Sequence, residues 1–406
     1  MTHYTDEPRE SLRPVVTTSA ALDRCLASLD QGSGPVAFDT ERAHGFRYWP
    51  KAYLLQIRRA GTGTWLIDPV AFEDGGPADM SSLVEACGDA TWVLHAASQD
   101  LPCMREVGIV PGSLFDTELG GRLLGEPLVS LGALLEAHLG VRLRKAHSAQ
   151  NWATRPLPTN WLAYAALDVD YLLELASWME LSLEAAGRLD WARQEFEAEL
   201  AQHSVEPIPR EEPWRRLAGI SDLRTTRQLA LARALWLERD RIAEERDRPP
   251  GHILPDQAII GLALRVQQEG PLPPASVMDS IPGFGHRGAR RHRAAWIRAL
   301  RETSDLHPSQ YPARRPPATG TPHPRNWDKS RPEAARMWPL ARAAVDELAC
   351  DLGIQPNLIA PSATLQAVVY EQAATGMFAD WLTEHGSRAW QVSFLAPLLD
   401  EARQAV

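Results

Sequence analysis

Long apolar runs are missing from this sequence. None reaches the ~18 residues that a transmembrane helix needs, so no membrane partner is expected. The N-terminal stretch MTHYTDEPRESLRP is polar and acidic, without the basic and apolar regions of a signal peptide. A cytoplasmic location is the expectation that follows. Cysteine is scarce: Cys25, Cys87, Cys103 and Cys350 are the four in 406 residues. No two have the close spacing of a zinc site, and so few thiols make no disulfide framework. Each is read as a small core residue or a tolerated thiol rather than a ligand. Net positive charge is missing too, and a total of −10 gives by itself no sign of a nucleic-acid partner.

The average hides a gradient. Residues 214–303 have no lysine but 16 arginines against 10 acids, for +6. Residues 304–326 carry +2 and residues 327–406 carry −4, which leaves −14 for 1–213. An acidic first part beside a basic middle fits a metal-binding catalytic domain with a separate nucleic-acid-binding module. In bulk the chain is 44% hydrophobic and 23% charged, the balance of a soluble globular protein. Its length suffices for two or three domains.

The pattern along the chain divides it. Residues 1–14 read as a disordered tail. Apolar runs at 36–38, 53–57, 64–67 and 92–94 read as strands. Helical patterns follow at 81–87, 99–107, 117–124, 130–138, 159–182 and 186–203. Strands first and helices packed on them make 15–203 an α/β or α+β domain. The Pro-rich stretch 204–213, SVEPIPREEP, is a linker. Residues 214–303 are all-helical, with a long helix from 226 to 246 stopped by Pro249-Pro250-Gly251. Shorter helices are expected at 256–268, 274–280 and 287–302. A second linker at 304–326, rich in Pro, Gly, Ser and Thr, precedes a last helical domain at 327–406.

Asp39 and Glu41 end the first strand at positions i and i+2, which point to one face. Two carboxylates so placed repel each other unless a cation neutralises them, and hard divalent cations take such oxygens. A second Asp-Thr-Glu at 116–118 opens a helix instead, so Asp116 is read as an N-cap and Glu118 as a first-turn acid. Asp100 follows the strand 92–94 and His95 at the start of a helix, where a cap and a catalytic group at a strand end are equally supported. Tyr164 and Asp168, at i and i+4, share a helix face. Asp170 points elsewhere.

Asp-x-Glu on a strand, strand-His-x4-Asp and helical Tyr-x-x-x-Asp occur in that order. Together they resemble the DEDD 3′→5′ exonucleases of the tyrosine subclass, and within them the ribonuclease D group. Residues 145–157, KAHSAQNWATRPL, resemble the family's Lys-x-Gln…Asp-Trp…Arg-Pro-Leu segment, with His147 in place of Gln and Asn151 in place of Asp. Residues 228–245, Arg248-Pro249-Pro250, 253–256 and Ile281-Pro282-Gly283-Phe284 resemble the helicase-and-ribonuclease-D C-terminal (HRDC) domain. Residues 327–406 are similar in style to its second, divergent copy. The resemblance implies a ribonuclease H-like exonuclease domain with a mixed sheet, followed by two small all-helical HRDC-type bundles.

It also implies hydrolysis of RNA 3′ ends to 5′-nucleoside monophosphates on two divalent cations, Mg²⁺ or Mn²⁺. Asp39 would bridge the ions. Glu41 and Asp168 would hold the one with the attacking water, and Asp100 would anchor the other. Tyr164 would orient that water; with an ordinary pKa near 10 it is a poor base. Thr40, Gln56, His95, Lys145 and Arg155 are the candidates to grip the terminal nucleotides, and Arg287, Arg290 and Arg291 to bind phosphates further away. Single-stranded 3′ ends of RNA, transfer RNA precursors above all, are the expected partners, with a monomer favoured. A DNA 3′-exonuclease and an inactive nucleic-acid-binding protein are the competing readings. The second is disfavoured because all four acids are present.

Overall fold

The apolar runs of the first 140 residues become the strands of a mixed sheet. In a computed structural model, which describes residues 3–5, 7–143, 150–206, 208–267, 271–315 and 320–406, the chain begins with His3–Thr5 (β1) and Ser19–Asp30 (α1). Ser33–Arg42 (β2), Ala52–Ala60 (β3), Gly63–Ile67 (β4), Ser82–Cys87 (α2) and Trp92–Leu94 (β5) follow. Next come Leu101–Glu106 (α3), Leu114–Asp116 (β6), Thr117–Leu124 (α4), Leu131–Leu134 (α5) and Val141–Leu143 (β7). Thr159–Asp170 (α6), Leu172–Ala185 (α7) and Leu189–His203 (α8) complete this part.

The five-stranded sheet has the order β4-β3-β2-β5-β6. Strands β2, β3 and β4 run antiparallel, while β5 lies parallel to β2 and to β6. Central strands of such a sheet are covered on both faces and read as unbroken apolar runs. Val36, Ala37 and Phe38 of β2 and Leu54, Leu55 and Ile57 of β3 are accordingly fully buried. Strand β6 has no counterpart in the sequence reading, because Phe115-Asp116 looks like the mouth of a helix. Asp116 both ends the strand and caps α4.

Two expectations are corrected. Residues 3–5 and 7–14 do not form a disordered tail. Strand β1 pairs with β7, the Arg9 guanidinium and amide donate to Asp170, Glu10 pairs with Arg58, and Arg13 lies over the Trp65 ring. Charged residues that look solvated in sequence have internal partners far along the chain. The single helix expected at 159–182 breaks at Tyr171, between α6 and α7.

The basic middle of the chain is helical: Thr226–Glu245 (α9), Pro250–Ile253 (α10), Asp256–Ala263 (α11), Arg287–Arg291 (α12) and Arg293–Asp305 (α13). A capping box between Thr225 and Gln228 starts α9. Trp214, Trp296, Leu231, Leu235 and Ile259 fill the core of this bundle. The helix expected at 287–302 is interrupted at His292. The last helices are Trp327–Ser330 (α14), Pro332–Leu352 (α15), Pro356–Ile359 (α16), Ser362–Gln372 (α17), Phe378–Glu384 (α18) and Ala389–Gln404 (α19).

The chain forms two compact units. Met1–Arg42, Lys51–Glu206 and Thr319–Val406 make one, and Ala43–Pro50 with Pro207–Ala318 make the other. The C-terminal helices thus share the core of the sheet domain. Trp390 stacks on Trp191 at 4.8 Å, and its indole N–H donates to Glu195 at 2.9 Å. Glu195 also pairs with Arg388. A buried acid with an indole and a guanidinium on it is satisfied, as burial demands.

Candidate active site

Strand β2 carries Asp39 and Glu41 opposite Gln56 and Leu54 of β3. Alternation sends Phe38 and Thr40 to the other face. Helix α6 contributes Asp168, and ligand oxygens of Asp39, Glu41 and Asp168 all lie within 4.8 Å of one another. Tyr164 sits one turn before Asp168 on the same helix.

Asp100 lies outside that trio but is tied to it through β2: Thr40 Oγ1 donates to Asp100 Oδ1 at 2.6 Å. Asp100 is the residue before α3, yet its side chain makes no capping bond. Asp100 therefore does not act as the side-chain cap that its position also allows. The loop that places Asp100 is held by Asp116, whose carboxylate accepts from the amides of Ala96 at 3.0 Å and Ala97 at 2.8 Å. The same carboxylate accepts from Glu118 and Leu119 at the start of α4. Ala96 takes a left-handed conformation, φ 61°, unusual without a glycine, and these bonds hold it there. The N-cap expected at Asp116 is present, and its link to the loop is the feature that spacing could not reveal.

Glu41 and Asp100 are buried and Asp39 and Asp168 half-buried, and their protonation reflects this crowding. Burial first, then Asp100, Asp168 and Glu41, hold the Asp39 carboxyl well above the usual carboxylate range. Burial, then Asp168 and Asp100, push Glu41 up to about 9. Burial and Asp100 push Asp168 up to about 7. Burial raises Asp100 to about 6, opposed by the hydrogen bond from Thr40. The phenol of Tyr164 is raised above its ordinary value by burial, then by Asp168, Glu41 and Asp39, so it keeps its proton at neutral pH. Converging buried carboxylates need a cation to stay ionised, and an oxygen-only donor set suits a hard divalent ion. The residues present fit such an ion.

The other candidates fall in four groups. Gln56 is fully buried, and neither its amide oxygen nor its nitrogen has a partner among the described residues. His95 places Nδ1 2.9 Å from Thr117 Oγ1, and burial lowers it to about 4, so it is neutral. Arg155 is engaged: it pairs with Asp68 through Nε and Nη2 at 2.6 Å, and it donates to the carbonyls of Tyr53, Trp152 and Thr154. That geometry assigns it to holding the loop after Trp152 on the sheet, and a phosphate would have to displace Asp68. Lys145, with His147, lies outside the described residues. Arg287, Arg290 and Arg291 are exposed on α12. Among the described residues, no helix is long and apolar enough to cross a membrane.

Known proteins resemble this chain in sequence and fold. The family described as "3′-5′ exonuclease" matches residues 14–184, "HRDC domain" residues 228–300, and "3′ to 5′ exonuclease C-terminal domain" residues 320–402. Ribonuclease D of Pseudomonas paraeruginosa is 30% identical over 82% of this chain and 83% of its own length. The chain spans about three-fifths of the length of the first curated relatives it matches, 61% in the ribonuclease D of Bartonella henselae, which is 29% identical over 62% of this chain. A crystal structure of a Bifidobacterium adolescentis protein has a TM-score of 0.89 at 33% identity, covering all of both chains. Escherichia coli RNase D, an exoribonuclease involved in structured RNA processing, has a TM-score of 0.70 at 23% identity, over 97% of this chain and 99% of its own; at that identity the likeness concerns the fold.

Proposed function

This chain belongs to the ribonuclease D family, and on that premise we propose that it is a metal-dependent 3′→5′ exoribonuclease. It would release 5′-nucleoside monophosphates from single-stranded 3′ ends of structured RNA such as transfer RNA precursors. The observation that carries this proposal is the set of four buried and half-buried carboxylates, three with ligand oxygens within 4.8 Å of one another. Asp39, Glu41, Asp100 and Asp168 would hold two divalent cations, Mg²⁺ or Mn²⁺. When bound, these supply positive charge to the attacking and departing oxygens of the phosphodiester.

The chain's own residues then orient and hold. Thr40 fixes the rotamer of Asp100 through its 2.6 Å bond, and Asp116 fixes the backbone that carries it. Tyr164, protonated at neutral pH, donates a hydrogen bond that aims the attacking water and takes no proton from it. The neutral His95 offers an uncharged ring nitrogen to the terminal nucleotide and adds no charge near the acids; Gln56, opposite Asp39, is fully buried.

The test compares the wild type with Asp39→Ala on 5′-labelled single-stranded RNA and matched DNA, in Mg²⁺, Mn²⁺ or EDTA. The expected result is a metal-dependent ladder shortening from the 3′ end, faster on RNA and absent in the variant. A ladder mainly on DNA would move the substrate to DNA. No degradation in any metal, with RNA binding retained, would overturn the activity.

A further inference from the structure

The segment between β2 and β3, Ala43–Pro50, belongs to the same compact unit as the helical bundle, and two aromatic rings on it face solvent. We infer that its Phe46 and Trp49, together with Arg246, Arg248 and Arg291, form a binding surface for an unpaired RNA tract. The rings take bases and the guanidiniums take phosphates. The choice of RNA as the polyanion rests on the activity proposed above; the surface itself does not.

The segment is anchored in a way that presents those rings. Asp247 Oδ1 accepts from the amides of Tyr48 at 3.0 Å and Trp49 at 3.3 Å, and its other oxygen pairs with Arg47 at 3.2 Å. The Tyr48 hydroxyl donates to Asp240 at 3.2 Å, and its ring packs against the core of the bundle. Asp247 adopts a left-handed conformation, φ 46°, sparsely populated outside glycine and common at ligand-binding positions. With Tyr48 tied down, Trp49 sets its ring edge-on to it at 5.2 Å and stays 47% exposed, and Phe46 stays 37% exposed. A rigid anchor beneath exposed aromatic rings is a stacking platform in waiting, since every base has a face that an indole can cover.

The charge beside it is unspent. Acids of this unit pair with Arg239, Arg241, Arg293 and Arg298. Arg246 and Arg248 flank Asp247, and with Arg287, Arg290 and Arg291 they are exposed. None of the five is in an ion pair among the described residues. Arg246 and Arg291 both act on His292: burial, then Arg246, Arg241 and Arg291, disfavour its protonation, and Glu238 opposes them. Helix α12 also approaches α10 closely, with Gly288 against the His252 carbonyl, which brings Arg287–Arg291 near the chain after Arg248. Unpaired cations beside exposed rings suit a flexible strand with one phosphate per base better than an acidic peptide, which has no faces to stack.

The experiment measures binding of a fluorescent 12-nucleotide oligouridylate to the full chain in EDTA, so no chemistry intervenes. Trp49→Ala should weaken binding about tenfold with an unchanged salt dependence, and Trp49→Phe should recover most of the loss. Arg246→Ala with Arg291→Ala should flatten the dependence of log affinity on log salt by about 1.4. A duplex of equal length should be insensitive to Trp49→Ala. Equal affinity of wild type and all variants for the oligouridylate would overturn the inference. So would a polyglutamate that binds as tightly as RNA and loses the same factor in Trp49→Ala. Because EDTA is present, failure of the wild type to cleave RNA in other assays would count against the exonuclease activity alone.

Discussion

Glu41→Gln should stabilise the metal-free protein, and by an amount that grows with pH. Glu41 is buried and its carboxyl is raised from 4.5 to about 9 by burial and by Asp168 and Asp100. A raised folded-state pKa means that the folded chain binds the proton more tightly than the unfolded chain does. Stability is therefore complete below about pH 4.5 and drains as pH climbs towards 9. At pH 8, forcing this group to keep its proton costs about 1.36 kcal/mol for each pH step above 4.5. That amounts to about 4 to 5 kcal/mol, against less than about 1 kcal/mol at pH 5. Glutamine has the shape of the protonated acid and no proton to lose. The gain in EDTA should thus be several degrees in Tm at pH 8 and close to nothing at pH 5. Mg²⁺ should reverse the order at pH 8: the wild type binds the ion and gains, whereas the variant, one carboxylate short, gains less. Thermal melts at the two pH values, with EDTA and with excess Mg²⁺, read all four numbers. A gain equal at both pH values, or a loss at pH 8 in EDTA, would refute the argument, because then Glu41 does not sit among uncompensated acids.

Two further outcomes follow from the same geometry. Tyr164→Phe should lower kcat by about tenfold to a hundredfold while leaving the alkaline limb of the pH–rate profile where it is; a limb that moves would make the phenol a base. Arg155→Ala should destabilise the fold by about 3 kcal/mol, since it leaves the buried Asp68 without its bidentate partner. Its KM for short oligonucleotides should change less than twofold, and a large KM rise at unchanged Tm would restore Arg155 to the substrate.

What the sequence makes legible is what is local. Asp39 and Glu41 are two residues apart on a strand, and Tyr164 and Asp168 are one turn apart on a helix, so period alone places each pair on a face. Which pair meets which is a matter of topology. Only the register of β2 between β3 and β5 brings the strand acids to α6. Asp100 shows the boundary most clearly. Its position before a helix predicts a cap, and its distance from a strand end predicts a site. The deciding contacts are Thr40, 60 residues earlier, and Asp116, whose amide partners lie 20 and 19 residues before it. Arg155, a phosphate candidate by sequence, is engaged by Asp68, 87 residues away, which spacing could not reveal either.

The second Asp-Thr-Glu joins these points. At 39–41 the motif ends a strand covered on both faces, and its acids accept from no backbone amide among the described residues, so their charge is left for a cation. At 116–118 the same three residues end a strand where a helix starts at once, and four backbone N–H groups absorb the Asp116 charge. Composition is identical and chemistry differs, because a carboxylate satisfied by fixed dipoles has little left to offer a metal. Spacing therefore nominates acids, and the count of donors around each decides which can serve. By that count Asp170, buried and held by Arg9 and Arg58, is excluded as Asp116 is, although it lies two residues from Asp168.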